Sequence, residues 1–181
     1  RGGLDATLRF GADYSLTDNQ TLTGSFLYSP SQDQNKVDLE YRDFAQGDEL
    51  LQTVRRFDDE EETETTLEGT LSWVKQYEDN DDHKWTADLR YTSERDREQS
   101  VIRDFTVGAN DDFLHDVDNL ENQSRILVQS DYVKPFGEDH SFETGTRLTL
   151  RTIENDYALS NVDNNGNLVP VDSFTNAFTF V

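Results

Sequence analysis

The sequence predicts an all-β fold: an antiparallel meander of long strands that forms part of the wall of a transmembrane β-barrel. Three observations lead there. Apolar and polar residues alternate with a period of two over runs of about eleven residues. The same hairpin design recurs along the chain. Short turns separate the strands of each hairpin, whereas long polar stretches separate one hairpin from the next.

The first hairpin spans about 5–29. Ala6, Leu8, Phe10, Ala12, Tyr14 and Leu16 alternate with Asp5, Thr7, Arg9, Gly11, Asp13 and Ser15. Thr17-Asp18-Asn19-Gln20 supplies turn chemistry, and Leu22, Gly24, Phe26 and Tyr28 return on one face. The second hairpin, about 65–92, sets Leu67, Gly69, Leu71, Trp73 and Tyr77 against Glu68, Thr70, Ser72 and Gln76. It turns through Glu78-Asp79-Asn80-Asp81-Asp82-His83 and returns with Trp85, Ala87, Leu89 and Tyr91, although Val74 and Lys75 break the alternation. The third, about 124–152, carries Ile126, Val128, Ser130 and Tyr132 into the turn Pro135-Phe136-Gly137-Glu138-Asp139. It returns with Phe142, Thr144, Thr146, Leu148 and Leu150, while Leu127 and Val133 spoil the polar face of the outgoing strand.

Between hairpins lie long polar stretches, about 30–62, 93–123 and 156–173, which are expected to be extracellular loops. They contain strand-like pieces from Lys36 to Phe44, Leu50 to Phe57 and Val101 to Val107, so the strands are expected to continue past the membrane before reversing. Tight turns at one end and long loops at the other are the arrangement of bacterial outer-membrane barrels. Six strands, with Phe174 to Val181 starting a seventh, are fewer than the eight of the smallest single-chain barrels, so the expectation is a partial barrel wall whose edges other chain must cover.

Composition narrows the function classes. Sixteen Lys plus Arg against 38 Asp plus Glu give a net charge of −22, a field that repels nucleic-acid phosphates. With no Cys, thiol catalysis, Cys-ligated zinc and disulfides are excluded. Only 33% of residues are hydrophobic, yet 11% are aromatic, which separates the chain from disordered polar sequences. No Ser-His-Asp grouping or phosphate-binding glycine loop stands out, so neither an enzyme nor a cofactor is expected. Periodicity alone does not say which face meets lipid: a soluble acidic sandwich that binds carbohydrate would bury the same apolar face. The asymmetry of turn and loop lengths tilts the choice to the membrane.

Candidate sites follow from that reading. Tyr14, Tyr77, Trp85, Tyr132, Phe136 and Phe142 lie within a few residues of the short turns, as an interfacial aromatic girdle requires. Arg9, Asp13, Asp88, Arg90, Glu143, Arg147 and Arg151 fall on the polar face, expected to be lumenal, where Arg9, Arg90, Arg147 and Arg151 are expected to form ion-pair ladders with Asp5, Asp13, Asp88 and Glu143. The run Asp58-Asp59-Glu60-Glu61-Glu62, with Glu64, has the oxygen donors for calcium, set against the plainer reading of a solvated loop. Asp163-Asn164-Asn165-Gly166-Asn167 resembles the start of a calcium loop but lacks its twelfth-position Glu and reads as a turn. His83, His115 and His140 are scattered and receive no role.

The run Gln129-Ser130-Asp131-Tyr132-Val133-Lys134-Pro135-Phe136, followed by Phe142-Glu143-Thr144-Gly145 and Asn155-Asp156-Tyr157, resembles the outer membrane β-barrel family of TonB-dependent receptor-like proteins common in Bacteroidota. Phe10-Gly11-Ala12-Asp13-Tyr14-Ser15-Leu16 and Asp88-Leu89-Arg90-Tyr91 fit the same pattern. The resemblance implies a large plugged barrel in the outer membrane of a Gram-negative bacterium that takes up a nutrient, with outer-membrane lipid, the rest of the barrel, a plug and, through the parent chain, TonB as partners. A barrel that anchors a surface lipoprotein or belongs to a secretion or cell-surface complex without transport is the second expectation.

Overall fold

The computed structural model describes every residue except Arg1, Asp79, Asn110, Asp111, Glu138, Asp139 and Asn164, and the side chains of all the rest but Asp81 and Asp112. The turn residues Asp79, Glu138 and Asp139 and the loop residue Asn164 therefore lie outside the described residues. In chain order the strands are β1 (Gly2–Asp5), β2 (Leu8–Thr17), β3 (Gln20–Phe44), β4 (Leu50–Tyr77), β5 (Asn80–Thr106), β6 (Asp112–Phe136), β7 (His140–Val162), β8 (Leu168–Pro170) and β9 (Asn176–Phe180).

They form one antiparallel sheet in which β3 to β7 pair with their sequence neighbours. Short β1 and β2 lie end to end along β3, and β8 and β9 lie along the far half of β7. The sheet does not close: β2 on one side and the near half of β7 on the other are its edges. β9 descends beside β7 as the expected seventh strand.

The long polar stretches are where the structure departs from the sequence reading. Residues 30–62 and 93–123 are not loops but the upper halves of β3 to β6, paired residue for residue to the tips. The chain reverses at the top over Ala45–Glu49, closed by the Ala45 N–H donating to the Glu49 carbonyl at 2.8 Å. Gly47 (φ 109°) and Asp48 (φ 61°) take the left-handed conformations this reversal needs. These stretches read as loops because both of their faces are polar, so the period-two signal vanishes while the strand persists.

One proline shows how the ladder tolerates a missing donor. Pro30 lies within β3, and its carbonyl accepts from Ala6 N–H at 3.1 Å, so its lacking N–H faces the same side. That side is the gap between β1 and β2, where the Ala6 carbonyl, left without the proline's N–H, accepts from the Ser29 hydroxyl at 3.2 Å.

No second layer covers the sheet. Among the described residues Val117 is the one buried hydrophobic side chain, and Leu8, Phe10, Tyr14, Leu89 and Leu148 stand exposed. A soluble sandwich would bury Phe10 and Leu148, and a contiguous apolar surface of this extent is not tolerated in water.

Candidate membrane belt and lumenal face

Because directly opposed residues share a face, the registers settle which side chains lie at one height. On one face, Phe10, Phe26, Gly69, Tyr91, Ile126 and Leu150 stand in a single row across β2 to β7. The next row toward the short turns is Ala12, Gly24, Leu71, Leu89, Val128 and Leu148, followed by Tyr14, Leu22, Trp73, Ala87, Ser130 and Thr146. The three hairpins, separated by dozens of residues in sequence, thus place their apolar positions in one unbroken belt. From Trp85 to Ser93 that belt climbs about 27 Å of strand, or about 21 Å of height at a tilt of roughly 40°, close to the ~25 Å apolar band of an outer-membrane barrel.

The girdle residues Tyr14, Tyr77, Trp85, Tyr132, Phe136 and Phe142 all lie toward the short-turn end. Tyr14, Trp85, Phe136 and Phe142 are exposed there. Trp73 joins them, meeting Trp85 edge to face at 5.4 Å between ring centroids, and Trp85 Nε1 donates to Ser130 Oγ at 2.8 Å. Lys75, which breaks the alternation, holds its ammonium 4.7 Å above the Tyr77 ring, so a cation placed on the lipid side at the interface is accommodated by an aromatic face.

Two features of this belt escape sequence reasoning. A second aromatic row, Phe10, Phe26 and Tyr91, lies near its upper edge with Tyr28 one row above, and small and aliphatic residues such as Ala12, Gly24, Leu71 and Val128 lie between the two girdles. The sequence shows each ring as one more apolar position; only cross-strand register reveals that they share a height. The other feature is His83, assigned no role from the sequence yet only 6% exposed. It stacks on Tyr77 at 3.9 Å, and its Nε2 lies 2.9 Å from the Tyr132 hydroxyl, tying the second short turn to β6. Flanking Tyr residues were the available signal.

The opposite face carries every charge assigned to it: Arg9, Asp13, Asp88, Arg90, Glu143, Arg147 and Arg151 all fall on the side away from the belt. The ion-pair ladders expected there do not form. Asp13 accepts from Thr23 at 2.6 Å, Asp88 from Ser72, and Glu143 from Ser141 at 3.2 Å, while Arg151 donates to Gln123. Register is the reason: Arg9 stands opposite Leu27, Arg147 opposite Gln129, and Arg151 opposite Arg125. Arg90 alone of this set has an acidic neighbour, Glu68, at 3.8 Å.

The calcium candidates are corrected by the same alternation. Asp58, Asp59, Glu60 and Glu61 lie in β4, not in a loop, so Asp58 and Glu60 project from one face and Asp59 and Glu61 from the other. Asp59 is paired with Lys36 at 2.6 Å, Glu61 accepts from Gln32 at 2.5 Å, and Asp58 accepts from Ser100. Consecutive residues of a strand cannot converge on one ion. Asp163 does cap a turn, accepting from the backbone N–H groups of Asn165 and Asn167 at 2.8 Å each, and these bonds, with those from the Asn167 side chain, hold its carboxyl below the usual range.

Above the belt both faces are polar and charge organises by row. On the lumenal side Glu62 stands between Asp33 and Glu98, and Asp96 between Glu64 and Glu121. Burial first, and neighbouring carboxylates second, push Glu62, Asp96 and Glu98 above their ordinary range. Two forked pairs also bind the extension: Arg56 to Asp104 on the lumenal face at 2.8 and 2.7 Å, and Arg97 to Asp118 on the opposite face at 3.0 and 2.6 Å. The arginine bonds hold both aspartates below their usual range.

Residues 76–181 match the family described as the Outer membrane protein beta-barrel family. No curated protein matches the chain.

Proposed function

Because the chain belongs to the outer membrane protein beta-barrel family, we propose that it is a non-catalytic wall section of a TonB-dependent receptor-like transporter that takes up a nutrient across the outer membrane. The membership places it in the outer membrane of a Gram-negative bacterium, with bilayer lipid around it. The observation that carries the transport reading is the pairing of a continuous apolar belt on one face with a predominantly polar, charge-bearing face behind it. A polar interior is what an aqueous or plugged solute path requires.

The test is in-cell photo-crosslinking from the complete polypeptide that contains this chain, with and without the inner-membrane energy transducer, alongside uptake measured before and after a protonophore. Transducer adducts and uptake that collapses with the proton gradient are expected. Uptake indifferent to both would remove the energy-coupled reading.

A second reading, a surface scaffold without transport, draws on the extension. β5 runs on from Ser93 to Thr106, about 44 Å of strand beyond the belt. Near its tip Phe57 and Phe105 stack at 6.0 Å, with Arg55 and Arg103 over their rings. Rings and guanidinium groups of this kind are enriched where proteins meet partners.

A further inference from the structure

We propose that the lumenal face of β5 to β7 holds an oxyanion site, built by Arg125 and Arg151, for a ligand presenting a carboxylate or phosphate group near the upper edge of the belt. The inference rests on the reading above that this face lines the barrel interior.

Arg125 and Arg151 are direct cross-strand partners on β6 and β7. Like charges placed opposite each other on a sheet repel. Arg147 lies on the same face of β7, four residues nearer the short turn, and Arg90 stands diagonal to Arg125 on β5. Arg90 has Glu68 at 3.8 Å, but no such carboxylate partner stands beside Arg125, Arg147 or Arg151 among the described residues. Asp88 takes the Ser72 hydroxyl and Glu94 takes the Gln123 amide at 2.5 Å, while among the described residues Arg125 and Arg147 have no ion pair or side-chain hydrogen bond. Arg151 spends two donors on one neutral oxygen, Gln123 Oε1.

A second observation coincides in place. Thr92 shares its row with Arg125 and Arg151, is 3% exposed, and its hydroxyl has no hydrogen-bond partner. A buried hydroxyl left without a partner is uncommon and calls for an explanation. Two guanidinium forks in the row of such a donor match the planar, multi-oxygen geometry of carboxylate or phosphate. The carboxylate rows of Glu62, Asp96 and Glu98 higher on the same face repel an anion, so the arginine rows are where it is held.

The test uses the complete protein purified in detergent, with inorganic phosphate as the probe. Thermal unfolding is followed as phosphate replaces chloride at constant ionic strength. The midpoint is expected to rise with phosphate. Arg125→Gln and Arg151→Gln are each expected to raise the phosphate-free midpoint, by relieving repulsion, and to weaken the phosphate response about tenfold. Arg95→Gln, on the opposite face above the belt, is expected to leave the response unchanged. A midpoint indifferent to phosphate, or a response that survives Arg125→Gln and Arg151→Gln, overturns the site. Labelling with a water-soluble maleimide separates this from failure of the lumen reading. Thr149→Cys reacting while Leu148→Cys is protected keeps that face aqueous; the reverse pattern overturns the lumen reading and the anion site with it.

Discussion

The lower and upper halves of the same strands obey different rules. In the belt, rows such as Ala12, Gly24, Leu71, Leu89, Val128 and Leu148 are apolar on one face and backed by polar residues on the other. In the extension, β3 to β6 keep the same partners and the same alternation of faces, yet both faces are polar and Val117 alone is a buried hydrophobic side chain among the described residues. The difference teaches that strand pairing is continuous while the source of stability changes. Lipid contact and ladder hydrogen bonds hold the belt; ladder bonds, forked ion pairs and a few ring contacts hold the extension.

Replacing an apolar residue by arginine breaks the comparison most sharply. Leu89→Arg, in the middle of the belt, is expected to cost about 2–4 kcal/mol in urea unfolding from lipid vesicles. Gln99→Arg, on the same face and strand but above the belt, is expected to stay within about 0.5 kcal/mol. Equal costs would erase the distinction between the halves.

Within the extension the largest effect belongs to its small buried contact. Val117→Ala is expected to lower stability by roughly 1–2 kcal/mol, as loss of two buried carbons implies, and hydrogen exchange should speed first in β5 and β7 around its partners Ser100 and Leu159. Exchange that speeds equally in the belt would mean that the two halves unfold as one unit.

Arg56→Ala removes the fork to Asp104. With the arginine side chain 41% exposed, solvent screening limits the expected loss to about 0.5–1 kcal/mol, read from the thermal midpoint and smaller in high salt. A loss unaffected by salt would assign the effect to packing of the arginine stem.

Acidity acts on the extension in two opposed steps. Glu62, Asp96 and Glu98 have folded pKa values above their ordinary range, so the folded sheet binds protons more readily than the unfolded chain. Their repulsion is present at neutral pH and is relieved as pH falls toward the carboxylate range. Asp104 and Asp118 are depressed, so their contribution is present above the ordinary aspartate pKa and lost as pH falls through the folded value. Circular-dichroism melts should show the extension gaining stability as pH falls from neutral toward the carboxylate range and losing it in stronger acid. Glu98→Gln should gain a few tenths of a kcal/mol at neutral pH and flatten the first step. A first step left intact in Glu98→Gln would place its origin elsewhere.

What was legible in the sequence follows the same divide. The belt strands, their short turns and their lipid-side residues from Leu8 to Leu150 could be read because lipid and lumen demand opposite side chains at alternate positions. Residues 30–62 and 93–123 could be read only in pieces, as strand continuing through Lys36 to Phe44, Leu50 to Phe57 and Val101 to Val107, since water lies on both sides and strand and loop then share a composition. The girdle near the short turns was legible from its nearness to turn residues; the upper row of Phe10, Phe26 and Tyr91 was not, because height is a property of register. Charges were assigned to the right face, but their partners were not, since parity fixes the face of Arg151 while only the pairing of β6 with β7 sets it against Arg125.

The central claim is that the apolar face meets lipid and the opposite face does not. Depth-dependent quenching tests it directly: the complete protein is reconstituted in vesicles of lipids brominated at successive depths, and fluorescence is compared with Trp73→Phe and Trp85→Phe variants. Quenching of both tryptophans, strongest for bromine near the interface on the short-turn side, is the expected result. Tryptophan emission indifferent to bromine at every depth would contradict the account.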